Sequence, residues 1–122
     1  MSVFLNVSNH PSASWNEQQI KAAEAYGNII DIQFPEIDPE SPTEEICRQA
    51  EEYLKKVTAY DNPIVMVQGE FTFSYSLIQR LRKNNVVVVA ACSRRKTDEK
   101  VLGDGSTQKV SIFEFCGFRE YE

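Results

Sequence analysis

The sequence has few of the residues on which metal and disulfide sites are usually built. It contains one histidine and three cysteines, Cys47, Cys92 and Cys116, which are widely spaced and odd in number. No C-x-x-C pair or Cys/His spacing indicates zinc, and no disulfide framework is implied. We therefore expect no metal site, no cofactor and three free thiols that are mostly buried, because free cysteine is among the most buried residue types.

Long apolar runs and an excess of cations are also absent. No segment approaches the roughly 20 apolar residues that a membrane helix needs, and the N-terminus lacks a basic region followed by an apolar stretch. We therefore expect a cytoplasmic protein with no membrane partner. The formal charge of −5, from 18 acidic and 13 basic residues, argues against duplex DNA as a partner. The segment from Arg80 to Lys96 nevertheless contains cations and no acid, and a small anionic ligand needs only such a local patch.

Several standard catalytic motifs are missing as well. The sequence has no G-x-G-x-x-G after the first apolar segment, no G-x-x-x-x-G-K-[ST], no H-E-x-x-H and no G-x-S-x-G. Their absence removes the best sequence support for a dinucleotide oxidoreductase, a P-loop NTPase, a zinc protease or a hydrolase with a nucleophile elbow.

What the sequence does contain is a regular alternation of strand and helix patterns over 122 residues, the size of one domain. Short β-prone segments lie at residues 3–7, 28–34, 63–67 and 86–91. Helical patterns separate them, and the first of these begins with Ser14 and Glu17 at the spacing of a capping box. Gly69 separates the third strand from the third helix.

This alternation predicts an α/β fold. We expect one Rossmann-like, three-layer domain over residues 1–122, with a four-stranded parallel sheet in the order 2-1-3-4. After Ser93 the pattern changes to two strands, at residues 101–102 and 110–115, around a Gly-rich turn. We expect this C-terminal antiparallel β-hairpin to extend an edge of the sheet. Ligands of such folds bind beyond the carboxyl ends of the strands, where the chain reverses direction.

Polar residues follow the predicted strands 1, 3 and 4, and they form the candidate site. The candidate ligand-binding residues are Ser8, Asn9, Ser12, Gln68, Gly69, Thr72, Ser93, Arg94 and Arg95, and the candidate catalytic residues are His10 and Glu70. Glycine lets a ligand approach the backbone, a helix N-terminus offers amides to an anion, and guanidinium groups suit phosphate. Histidine suits proton transfer near neutral pH.

Each of these residues also has a purely structural interpretation. Gly69 can serve a tight turn, and Glu70 can complement the positive end of a helix. His10, which precedes a proline, can be a surface turn residue. Arg94 and Arg95 can be a solvated pair at the end of a strand.

Three stretches resemble a known family. They are SNHPSASW after the first strand, VQGEFTFSY at the end of the third strand and ACSRR at the end of the fourth. In these stretches the chain is similar to the small, single-domain CRISPR-associated proteins of the CARF-like group. That group includes compact ring nucleases that bind or cleave cyclic oligoadenylates. The resemblance stops before the C-terminal hairpin.

The resemblance implies a homodimer of an antiviral defence system that holds a cyclic oligoadenylate across its two-fold axis. Ring cleavage in such families uses the substrate's own ribose 2′-hydroxyl, leaves a 2′,3′-cyclic phosphate and needs no metal. Arg94, Arg95 and the amides at Gly69 would then hold phosphates, and His10 or Glu70 would move a proton. Two alternatives stay open: a non-catalytic nucleotide-binding module, and a dimeric interaction protein that presents the strand SIFEFCGF.

Overall fold

The computed structural model describes residues 2–122, which form a five-stranded sheet with helices on both faces. The strands are β1 (Val3–Ser8), β2 (Asn28–Gln33), β3 (Pro63–Gln68), β4 (Val87–Val101) and β5 (Thr107–Glu120). Their order is β2-β1-β3-β4-β5. The first four strands are parallel, and β5 is antiparallel to β4. The predicted α/β class and the order 2-1-3-4 are therefore confirmed.

Three α-helices connect the parallel strands. They are α1 (Glu17–Glu24), α2 (Thr43–Thr58) and α3 (Phe71–Lys83). The predicted capping role of Ser14 is wrong, because the Oδ1 atom of Asn16 accepts the Gln19 amide at 2.9 Å and so caps α1. Ser14 instead ends a 3₁₀ turn and donates to the Pro11 carbonyl oxygen at 2.7 Å. Across residues 2–122, no helix combines the length and apolar character needed to cross a membrane.

The alternation of side chains along each strand divides the core between the two faces of the sheet. Leu5 and Val7 of β1 belong to the larger cluster, which packs against α2 and α3. Phe4 of β1 and Met66 of β3 belong to a smaller cluster, which includes Ala23 of α1. The face beneath α1 therefore receives the even-numbered residues of β1 and β3, and the face beneath α2 and α3 receives the odd-numbered ones.

Strands β4 and β5 continue beyond the rest of the sheet as a two-stranded arm. The pairing of β3 with β4 ends at Met66 opposite Val89, whereas β4 and β5 stay paired as far as Val101 and Thr107. We call residues 94–114 the arm. The expectation of a fourth strand that ends near Ala91, followed by a separate hairpin, is wrong. Instead, β4 is a single 15-residue strand that forms both the fourth strand of the sheet and the first strand of the hairpin. It remains a strand through its polar residues because these residues pair with β5.

The three cysteines are free thiols, but their predicted burial is only partial. Cys47 and Cys92 are half-buried and Cys116 is exposed. Cys116 lies where the pairing of β4 with β5 shifts by one residue, since Cys92 pairs with Gly117 and the next residue of β4 pairs with Phe115. This bulge leaves Cys116 without a direct partner in the ladder.

The packing of α3 predicts that alanine substitution has very different effects on stability at two phenylalanines that are two residues apart. Phe73 is fully buried between the rings of Phe34 and Tyr53, whereas 89% of Phe71 is exposed. Phe73→Ala should lower the free energy of unfolding by about 3–5 kcal/mol, because it removes a buried ring and leaves a cavity. Phe71→Ala should change it by less than about 0.5 kcal/mol. Urea denaturation checks both values, and similar losses for the two variants would contradict the assigned burial of α3.

Candidate functional site

The carboxyl-terminal half of the sheet face beneath α1 is polar. Helix α1 has only eight residues, and the apolar cluster that includes its Ala23 involves the amino-terminal and central parts of the strands. Towards the carboxyl ends, the residues on this face become polar on every parallel strand. These residues are Asn6 and Ser8 on β1, Asp31 and Gln33 on β2, Gln68 on β3 and Ser93 on β4.

A cavity of about 470 Å³ opens on this polar surface. We call it the carboxyl-end pocket. Four of the predicted site residues line it, namely Ser8, His10, Gln68 and Ser93. Three aromatic side chains also line it: Trp15 from the loop after β1, and Phe113 and Phe115 from β5. The pocket thus combines polar groups from three parallel strands or their following loops with aromatic walls.

Asn6 and Ser8 hold the loop that carries His10. The Ser8 hydroxyl donates to Oδ1 of Asn6 at 2.6 Å and accepts the His10 amide at 3.2 Å. The Nδ2 group of Asn6 donates to the His10 carbonyl oxygen at 2.9 Å, and the indole Nε1 of Trp15 donates to the same oxygen at 3.1 Å. The backbone of His10 is therefore tied on both sides, while its exposed side chain is at the pocket.

Asp31 of β2 anchors the next part of the same loop. Its Oδ1 atom accepts from Nδ2 of Asn6 at 3.0 Å, and its Oδ2 atom accepts from the backbone amide and hydroxyl of Ser12 at 3.2 and 3.1 Å. The hydroxyl of Ser12 is thus engaged by Asp31 and does not line the carboxyl-end pocket. Asn9 lies at an adjoining cavity of about 420 Å³, together with Asn6 and Asp31.

Asn6 and Asp31 were not among the residues predicted from the sequence. The sequence-based candidates lie at or after the ends of predicted strands, whereas Asn6 and Asp31 lie inside β1 and β2. The signal was present, because a polar residue interrupts each apolar segment in VFLNV and NIIDIQF. A polar residue on the buried face of a strand needs a hydrogen-bonding partner.

Gln68 joins β3 to β4 just beyond the end of their ladder. Its Oε1 atom accepts the Ala91 amide at 2.6 Å, two residues after the last registered pair, Met66 and Val89. Both Gln68 and Ala91 line the carboxyl-end pocket. The Gln68 side chain therefore replaces a backbone hydrogen bond between β3 and β4 at the point where the two backbones separate.

Gly69 has a packing role at the end of β3. A Cβ atom at this position would overlap the ring of Phe34, well inside van der Waals contact. Gly69 is not among the residues that line the carboxyl-end pocket. The structure thus explains this glycine by the closeness of Phe34.

Glu70 and Thr72 lie at the N-terminus of α3 and face a different cavity. The carboxylate of Glu70 accepts the Phe73 amide at 2.7 Å and the Thr72 hydroxyl at 2.7 Å. These bonds, first that from the Phe73 amide, hold the pKa of Glu70 below its usual value. The protein's own carboxylate thus engages the Phe73 amide at this helix N-terminus. The structure supports the capping interpretation of Glu70.

Arg94 and Arg95 cannot act together, because neighbouring residues of a strand face opposite sides of the sheet. Arg95 pairs with Phe113 and lies on the face of the carboxyl-end pocket, and its Nη2 and Nε atoms donate to the Ser111 hydroxyl at 3.0 and 3.2 Å. Arg94 pairs with Glu114 on the other face. Neither arginine is among the residues that line the pocket.

The cavity that contains Glu70 and Thr72 is a groove between α2 and α3, with a volume of about 1030 Å³. Apolar residues of the groove include Ile37, Ile46 and Leu54. Its cations are Lys83 and Arg80, and Arg80 pairs with Glu51 at 2.7 Å. The groove is larger than the carboxyl-end pocket. It lies on the opposite face of the sheet from the polar ends of the strands.

The position of Phe34 predicts that Gly69 does not tolerate a side chain. Gly69→Ala should lower the free energy of unfolding by about 1–3 kcal/mol, because the added methyl group must displace the Phe34 ring. Gly103→Ala is the matched control, since nothing lies within 4 Å of a Cβ atom there. Chemical denaturation measures both changes, and equal stability of the two variants would contradict the packing role of Gly69.

The capping role of Glu70 predicts a pH-dependent contribution to stability. The folded-state pKa is depressed below the ordinary 4.5, so the stabilisation is present above pH 4.5 and is lost as the pH falls through the folded-state value. Glu70→Gln should therefore cost about 1 kcal/mol at pH 7 and less at acidic pH. Urea denaturation at several pH values checks this, and a difference that stays constant with pH would contradict a role for the charge.

A comparison with known sequences places this chain in a family. No curated protein matches the chain. The family described as "Uncharacterized protein MJ1673 family" matches residues 2–119. This range includes the three cavities described above, all the predicted site residues and the arm. The chain therefore belongs to the MJ1673 family of uncharacterized proteins.

Proposed function

We propose that this protein binds a small anionic nucleotide in the carboxyl-end pocket, and that cyclic oligoadenylates are its ligands. The observation that carries the proposal is the convergence of Ser8, His10, Gln68 and Ser93 on one cavity with aromatic walls. The ligand class comes from the resemblance to CRISPR-associated CARF-like proteins. We also interpret the sheet as Rossmann-like, with the reversal of the chain between β1 and β3 beside this pocket.

The pocket has groups for both parts of a nucleotide. The Nε2 group of Gln68 and the hydroxyl of Ser93 are donors for phosphate or base edges. Arg95 does not line the pocket, but it lies on the same face and is the ladder partner of Phe113, so it adds a cation near the aromatic wall. Trp15 and Phe113 offer ring surfaces, and bases stack on aromatic side chains without requiring a particular sequence. Phe113 is 69% exposed, so its ring is accessible to a base.

The groove between α2 and α3 is a weaker candidate for an anion, although it is larger. Of its two cations, Arg80 and Lys83, the first is already paired with Glu51. Three carboxylates, those of Asp38, Glu51 and Glu70, line the same groove and outnumber the cations. The carboxyl-end pocket, in contrast, lies where parallel sheets usually bind ligands, beside the strands at which the order reverses.

Binding is better supported than cleavage. Attack by a ribose 2′-hydroxyl would need a group that accepts its proton, and Glu70 serves α3 on the other face of the sheet. His10 is the side chain at the pocket that suits this role. A ring-nuclease activity would therefore depend on His10, and a non-catalytic nucleotide-binding module would use the same pocket without it.

Isothermal titration calorimetry with cyclic oligoadenylates of different ring sizes tests the binding proposal. Ser93→Asp should weaken binding by at least about 10-fold, because it introduces a negative charge into the pocket beside an anionic ligand. Thr97→Asp is the matched control, since it makes the same change on the same face of β4, away from the pocket. Binding to no ring size, or equal weakening by both substitutions, would contradict the proposed site.

Chromatography of the same mixtures separates binding from cleavage. Linear products that the wild type forms and that His10→Ala fails to form, with binding retained, would establish a ring nuclease. Tight binding by the wild type with no products would establish a non-catalytic nucleotide-binding module. Products that persist in His10→Ala would contradict the role assigned to His10.

A further inference from the structure

The arm exposes a long strand edge. Strand β5 is the last strand of the sheet, and in the described chain it pairs only with β4. Its 14 residues extend over about 45 Å at the usual rise of an antiparallel strand. An exposed edge of this kind presents a row of unpaired backbone N–H and C=O groups, which is a template for pairing with another strand.

The usual protections of an edge strand are largely missing over residues 107–114. Proteins commonly block such edges with proline, charged side chains or bulges. The bulge of β5 lies beyond this segment, at Cys116, and the segment contains no proline. Its two charged residues are Lys109 and Glu114, and the Glu114 carboxylate is already paired with Lys96 of β4.

The centre of this edge is apolar and exposed. Between Lys109 and Glu114 the sequence is VSIF. Ile112 is 47% exposed and Phe113 is 69% exposed, although both lie in a regular strand. Because neighbouring residues face opposite sides, these two side chains present apolar surface on both faces of the arm.

We propose that two copies of this chain form a two-fold dimer by antiparallel pairing of their β5 edges. Pairing centred on Ser111 places Val110 of each copy opposite Ile112 of the second copy on one face. On the other face it places Lys109 opposite the Phe113 ring, an arrangement that favours a cation–π contact. No like charges lie directly opposite each other over residues 107–115, so the edge is complementary to itself.

This self-complementarity is the reason for choosing a second copy as the partner. A two-fold axis through Ser111 also pairs Gln108 with Glu114 and Thr107 with Phe115. Neither of these cross-strand pairs places like charges opposite each other. The result would be a continuous sheet of ten strands, twice the five of each chain. The dimer does not depend on the proposed nucleotide, since the pairing uses only the β5 edge.

Sedimentation velocity of the full chain over a concentration series tests the proposal. The wild type is expected to sediment as a dimer. The double variant V110K/I112K should be monomeric, because it places lysines opposite each other on both sides of the axis. V101K is the control: Val101 is exposed on the same arm but lies on β4, away from the paired edge, and this variant should remain a dimer. A monomeric wild type, or a dimeric V110K/I112K, overturns the proposal.

An experiment with variants of opposite charge distinguishes a V110K/I112K variant that has lost only the edge pairing from one that has failed to fold. Mixing V110K/I112K with V110E/I112E should restore a mixed dimer, since each lysine then faces a glutamate. Hydrogen exchange of the wild type gives a second measurement that no substitution can disturb. Protection of the outward-facing amides of residues 107–114 at concentrations where the chain sediments as a dimer supports the edge pairing, and fast exchange of these amides at the same concentrations overturns it.

Discussion

The pairing of β1 with both β2 and β3 is the constraint on which the rest of the structure depends. In this register Ser8 lies beside Gln33 on one side and Gln68 on the other, so three segments that are distant in sequence end together. Every second residue of each strand faces α1, and at the carboxyl ends those residues are polar. A shift of one residue would turn Ser8 or Gln68 towards the core beneath α2 and α3. The pocket is therefore a consequence of the register.

Asn6 shows how the polar end of this face is kept stable. This residue is 1% exposed, and a buried amide group without hydrogen-bonding partners is costly. Here it accepts from Ser8 and donates to Asp31 and to the His10 carbonyl oxygen. The same hydrogen bonds hold the loop that brings His10 to the pocket. Side chains that do not line the pocket, Asn6 and Asp31, thus organise the loop that does.

The arm connects the pocket to the exposed edge of the sheet. Phe113 and Phe115 form part of the pocket wall and belong to β5, whose other edge is unpaired within residues 2–122. A strand that pairs with this edge would also restrict the movement of the wall. Both proposals use the Phe113 ring, so dimerisation and ligand binding would then be coupled through its position.

The sequence by itself determined the α/β class, the order of the first four strands and the polar character of the segments after β1 and β3. Strand and helix periodicities and turn residues are local signals, so a single chain shows them. Only the tertiary structure decided that β4 continues into the arm, that Arg94 and Arg95 face opposite sides, and that Glu70 caps α3. It also decided the bond between Asn6 and Asp31, which are 25 residues apart. The physical reason is that the partner of a polar side chain is set by strand register, and register exists only when distant segments pair.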